Sequence, residues 1–210
     1  TSYDTYDGSW INSITTAAQT DYTGRLQVLL SLTRRDAHEP ILSKARADGG
    51  RWGCPRNPEA IRCNELDPFT LVAHNAMAKI VWRPTTEHEF KVTTEVYDSQ
   101  TDVNQKYDLG AATGGVTNLS YFRHQHKTRY RATLQHEWLV GLPFLDNLRW
   151  QATYSPQERE FTGERLQRLA NGTRARLDFL HDYKEHFWEG DLQLKSTLNL
   201  PGMTHKFTYG

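Results

Sequence analysis

The sequence predicts an all-β fold: an antiparallel up-and-down meander of about eight strands, forming part of a transmembrane β-barrel, with residues 1–210 as one partial barrel domain. Three observations carry that prediction. Apolar residues recur with period 2 in most segments. The connections between those segments alternate short and long. Aromatic residues flank the connections at both strand ends. The face opposite the apolar one is charged, which a soluble sandwich has no reason to bury.

The strands follow in order. Residues 1–9 are polar and turn-like. Residues 10–18 make a weak strand, with Ile14, Thr16 and Ala18 on one parity. After the break at 20–24, residues 25–37 alternate strongly: Leu26, Val28, Leu30 and Leu32 against Arg25, Gln27, Ser31 and Thr33. A long loop at 38–70 includes a short helical turn at 42–47. The hairpin at 75–98 is the clearest. Ala76, Ala78, Ile80 and Trp82 share a parity, the turn RPTTEH follows, and Phe90, Val92 and Val96 answer.

Residues 99–126 read as a second long loop containing GAATGG. Its glycines lack the spacing of a phosphate-cradling loop. Residues 128–140 set Tyr130, Ala132, Leu134, Trp138 and Val140 against Arg129, Arg131, Thr133, Gln135 and Glu137. After the short turn 141–147, Leu148, Trp150, Ala152 and Tyr154 alternate with Arg149, Gln151 and Thr153. Residues 155–173 read as a third long polar loop. Within 173–198 the apolar parity slips from odd (Ala175, Leu177, Phe179, Tyr183) to even (Leu192, Leu194, Leu198). One strand with a β-bulge, or two strands with a turn at 184–190, would each produce the slip. A last strand spans 204–210.

Composition narrows the class. Lysine plus arginine and aspartate plus glutamate number 25 each, so the formal net charge is zero and no bulk field points to nucleic acid. Mean hydropathy is −0.73, with no apolar run of about 18 residues, so no transmembrane helix is expected. A membrane barrel averages as polar in the same way. The chain starts without Met or a signal-peptide apolar region and stops mid-strand, so a segment of a longer polypeptide is expected.

Cys54 and Cys63 sit in a Gly/Pro/Asn-rich stretch, at a spacing that suits neither a redox motif nor zinc. A loop-closing disulfide outside the cytosol is the expected pairing, with two unpaired thiols as the alternative. Trp82, Phe90, Trp138 and Trp150 lie beside short turns, and Tyr130 and Tyr154 nearer the long loops. These are the expected membrane-interface aromatics. The eight residues from Tyr130 to Trp138 span roughly 20 Å of height at a tilt near 40°. His136 is the misfit, on the apolar parity between Leu134 and Trp138.

The stretches LTRRDAHE (32–39), NAMAKIVWRPTTEHEFKVTTEVYD (75–98), TRYRATLQHEW (128–138) and THKFTYG (204–210) resemble the first part of the barrel of TonB-dependent outer-membrane receptors. The similarity is greatest to the haem/haemoglobin receptor branch, in which an H-x-L-x-YG-type strand matches His205, Phe207, Tyr209 and Gly210. It covers about 25–210 and marks strands rather than chemistry. It implies a Gram-negative outer-membrane location, contact with lipid, a separate plug domain, energy from the TonB complex, and haem or a haem protein as transported ligand. No intrinsic cofactor, metal or catalytic residue is implied. The FRAP and NPNL motifs of haem receptors would follow His205, beyond this segment.

His124 and His126, in FRHQH, are the ligand-binding candidates: at period 2 they share a face beside a long loop. Rim polar residues are the plainer reading. Lys79, Lys91, Glu95, Arg129, Arg131, Glu137 and Arg149 form the expected lumen-facing charged wall, wet, plug-contacting or facing an anionic ligand. Glu158 and Glu160 flank Arg159 and read as a solvated charge run. No GxSxG elbow accompanies the Ser, His and Asp residues. The expected function is therefore transport of an iron source. The alternatives are a ferric-siderophore receptor, a small self-contained eight-stranded outer-membrane barrel, or a secreted lipocalin-like barrel.

Overall fold

The computed structural model describes residues 1–3, 9–20, 24–40, 57, 59–61 and 65–210. Its strands are β1 (Ser2–Tyr3), β2 (Trp10–Gln19), β3 (Leu26–His38), β4 (Phe69–Trp82), β5 (His88–Asn104), β6 (Gly110–Ala111), β7 (Thr117–Leu142), β8 (Leu145–Arg168), β9 (Arg174–Leu200) and β10 (Met203–Tyr209). All ten belong to one antiparallel sheet. Nine follow sequence order from β1 to β10, and β6 is tucked onto the end of β7. The sheet is a meander and is not closed into a barrel. Eight strands have seven residues or more, which is the number that the alternation predicts.

Period 2 sets the two faces. Trp82, Phe90, His136, Trp150 and Leu192 pair in succession across β4, β5, β7, β8 and β9, so near the short turns the apolar parities of these strands fall on one face. That face is the exposed one: Leu32 is 61% exposed, Trp82 51% and Trp188 76%. The opposite, charged face is better packed. Thr153 is only 2% exposed there, and Gln135, Ser99, Ala73 and Tyr121 are buried. Long arginine and glutamine side chains lying across their neighbours cover these small residues.

Three short turns lie at one end of the sheet, 83–87, 143–144 and 201–202, and the end of β2 and the start of β3 lie there too. Gly202, at a φ of 83°, adopts the left-handed backbone that the two-residue β9–β10 turn requires. The other end carries the longer connections, but two are far shorter than the sequence suggests. β5 continues to Asn104 and β7 begins at Thr117, leaving 105–116 with two 3-10 turns and β6. β8 runs to Arg168, so the expected loop at 155–173 is a strand extension closed by a turn at 169–173, where the Leu169 N–H donates to the Thr173 carbonyl. Beyond the belt both faces are polar, so alternation loses its apolar signal while the ladder continues. Cross-strand charge pairs such as Lys184–Glu158 (2.5 Å) and Arg176–Glu164 (3.2 Å) hold it instead.

The parity slip in β9 arises from neither a bulge nor a turn. Its register against β8 runs unbroken from Asn147↔Lys195 to Arg168↔Arg174. The apolar content changes face instead. Leu192 and Leu194 lie on the exposed face, whereas Phe179 packs on the opposite face against Tyr121 and Phe161. The irregularities fall in β7–β8, between Asn118 and Ser120 and between Leu139 and Leu142. The expected helical turn at 42–47 and the Cys54–Cys63 pair lie outside the described residues.

Candidate functional site

The exposed face carries two aromatic rows. In the row nearest the short turns, the rings of Trp82 and Phe90 lie 5.5 Å apart, Phe90 stacks on His136 at 4.3 Å, and His136 meets Trp150 edge-on at 5.9 Å. Trp138 joins through His88 at 5.4 Å. This row resolves the misfit of His136. The Trp150 Nε1–H donates to its Nδ1 at 3.1 Å, which leaves the His136 proton on Nε2, where it is donated to His88 Nδ1 at 3.0 Å. The imidazole thus satisfies both nitrogens inside an apolar row. Tyr130 and Tyr154 mark the second row, with Trp188 packed on Tyr154 at 4.4 Å and His186 Nδ1 at 2.9 Å from the Tyr154 hydroxyl. Trp188 is absent from the aromatic belts that the sequence predicts, because the parity slip hides its face.

Lys79, Lys91, Glu95, Arg129, Arg131, Glu137 and Arg149 all lie on the face opposite these rows. Arg129 donates to Glu95 at 3.0 Å, and Asn75 donates to the same carboxylate at 2.7 Å. Glu137 accepts from Asn147 at 2.8 Å, Lys91 lies 3.4 Å from Glu89, and Arg131 reaches Glu189 at 4.0 Å. Zero net charge conceals a local basic excess. On β7 and β8 this face holds Arg123, Lys127, Arg129, Arg131, Arg149, Arg159 and Arg165 against Glu137 alone. The other face, beyond its second aromatic row, is mixed: Asp98, Asp102, Glu158, Glu160, Glu164, Asp178 and Asp182 lie among Arg168, Arg174, Arg176 and Lys184.

His124 and His126 share a face, as their spacing predicts, and it is the face of the aromatic rows. Each is held by a carboxylate: His124 Nδ1 lies 2.7 Å from Asp102, and His126 Nε2 lies 2.6 Å from Asp98. His124 also borders a cleft of about 1040 Å³ lined by the rung His38, Thr70, Asp102, His124, Thr162 and Leu180. Among the described residues, no group of three or more His, Cys, Asp or Glu could hold a metal ion.

A second cluster, on the charged face, is absent from the sequence reading. Arg165 lies 4.2 Å over the Tyr121 ring and 5.9 Å from Phe179, and Arg123 lies 4.7 Å over Phe161. Gly163, cross-strand partner of both Arg123 and Phe179, leaves room for the Phe179 ring to lie over its backbone. Nearby, burial pushes the Asp67 carboxyl above its ordinary value, against backbone N–H bonds from Tyr107 and Lys106 and the charge of Arg123. The signal that could have found the cluster is the odd-parity run Phe161, Gly163, Arg165, once 155–168 is read as strand.

Among the described residues no helix is long and apolar enough to cross a membrane. No protein-family model and no curated protein sequence matches the chain.

Proposed function

We propose that the chain is part of the wall of a TonB-dependent outer-membrane receptor that takes up an iron source, haem or a haem-carrying protein. The observation that carries the reading is the inverted polarity of the sheet, with its apolar face exposed and its charged face packed. Leu30, Leu32, Ile80, Trp82, Val92, Val96, Tyr130, Leu134, Trp138, Trp188, Leu192 and Leu198 are each more than a third exposed on one face. Left in water, a dozen half-covered side chains of this size forfeit about 10–15 kcal/mol of burial. That equals the whole stability of an ordinary domain, about 5–15 kcal/mol. Hydrocarbon removes the cost, and a strand ladder keeps the backbone satisfied there.

In this reading the two aromatic rows sit at the two membrane interfaces, the short turns at the periplasmic side, and the charged face toward the lumen. Twenty-six residues of β7 at about 3.3 Å each and a tilt near 40° rise about 65 Å. An apolar band is about 25 Å tall, so the wall projects roughly 40 Å outward. The projecting part holds the Arg–aromatic cluster and the histidines, where ligand capture belongs. The plug domain and the TonB complex act in the full-length protein. Haem as cargo rests on the strand-level resemblance of residues 25–210 to haem receptors.

The test is growth. The full-length protein, placed in an iron-starved Gram-negative host lacking its own haem receptor, is expected to support growth on haem in a TonB-dependent way. Growth on a ferric siderophore instead would reassign the cargo. Growth on neither, with the protein present in the outer membrane, would remove the transport reading.

A further inference from the structure

We propose that Arg123 and Arg165, backed by the rings of Phe161 and Tyr121 and flanked by Phe179, form a binding site for a planar aromatic anion. The proposal rests on the receptor reading only for the choice of first probe.

The five residues occupy successive cross-strand positions on β7, β8 and β9, so three strands fix the site and no loop is needed. Tyr121 opposes Arg165, and Gly163 lies between Arg123 and Phe179. Each guanidinium lies over a ring, at 4.7 Å and 4.2 Å, which restrains it and lowers the ordering cost of binding.

What the site lacks is an acceptor. A guanidinium offers five N–H donors. Neither Arg123 nor Arg165 makes a hydrogen bond or an ion pair among the described residues, and both Nε atoms are buried without a partner. The contrast within the same sheet is sharp. Arg34 and Arg176, far more exposed, each grip an aspartate at 2.9–3.1 Å. Asp67, the carboxylate whose charge Arg123 feels, already accepts the Tyr107 N–H at 2.8 Å. The surrounding face adds Lys127 and Arg159, cross-strand partners without carboxylate contacts, so the local field is positive. The guanidinium edges select a carboxylate-like group, and their outer faces, with Phe179 beside them, select a flat aromatic body.

The full-length protein in detergent micelles is titrated with iron protoporphyrin IX and with its dimethyl ester, followed by absorbance. The two probes share a ring system and differ in carboxylate charge. The free acid is expected to bind about tenfold more tightly than the ester. The double substitution Arg123→Gln with Arg165→Gln is expected to abolish that ratio. Arg165→Lys, which keeps the charge and loses the fork, is expected to reduce it at least about threefold. Lys127→Gln, on the same face but off the rings, should leave it within about twofold. Equal binding of acid and ester by the wild type, or a double variant that keeps the ratio and the native melting curve, overturns the site while leaving haem uptake standing. Binding of neither form overturns haem as cargo, and pyrene-1-carboxylate, a flat aromatic anion followed by its fluorescence, then replaces it as probe. About tenfold weaker binding of that anion by the double variant upholds the site, and no binding or no loss overturns it.

Discussion

Gly163 shows how much one residue can fix on a sheet without being a turn residue. Its backbone is ordinary extended strand, yet a Cβ there would fall inside the Phe179 ring. Gly163→Ala is expected to cost about 1–3 kcal/mol, the range for overpacking a fitted contact. Adding Phe179→Ala should recover part of the loss, because the clash then has no second party. Additive losses in denaturant melts would show that the ring does not lie on the glycine. Asp67 gives a pH-dependent counterpart. Its raised folded value means that the folded chain takes up this proton at a higher pH than the unfolded chain does, so stability falls as pH rises through that value. Asp67→Asn keeps an oxygen for the Tyr107 N–H and removes the buried charge. It is expected to raise the melting temperature at neutral pH and to have no such effect at pH 3.

At the scale of strands, β7, β8 and β9 carry the lesson about legibility. Within the apolar belt the sequence was transparent: the parity of Trp82, Phe90, Trp138, Trp150, Tyr130 and Tyr154 placed each on its observed face. Beyond the belt it was not. Residues 155–168 alternate Arg159 and Arg165 with Glu158 and Glu164, and a strand whose two faces are both polar has no hydrophobic period to read. Its ladder is specified by partners far away in sequence. For the same reason the Arg–aromatic cluster was invisible, since Tyr121, Arg165 and Phe179 meet only once the register is known. The strand assignment predicts slow amide exchange through 155–168 and 174–187, at least about tenfold slower than at 105–116. Exchange at loop rates through 155–168 would remove the extension.

At the scale of the whole sheet, separation of apolar from charged residues by face is the organising fact. A membrane location makes a specific optical demand. Trp82, Trp138 and Trp150 share one row and Trp188 lies in the other, so single-Trp versions of the full-length protein in bilayers should be quenched by bromines placed shallowly in either leaflet. Quenching of all four by aqueous acrylamide alone would mean that the apolar face meets water or protein, not lipid. Both edges of the described sheet are unpaired, at β1–β2 and at β10, and open edges promote association. The described segment on its own is therefore expected to oligomerise, with light scattering as the readout.

The meander also has a consequence in time. Every long ladder joins strands that are neighbours along the chain. The ladders from β4 to β10 close turns of at most a dozen residues, whereas β3 reaches β4 only across residues 39–68. Chain closure costs more as the loop lengthens, and contacts close in sequence form sooner. The hairpins from β4 onward can therefore zip together one after another, each offering a finished edge to the next, while β2–β3 docks as a separate, later unit. The history of the wall's assembly is then written in its loop lengths, with the seam at 39–68.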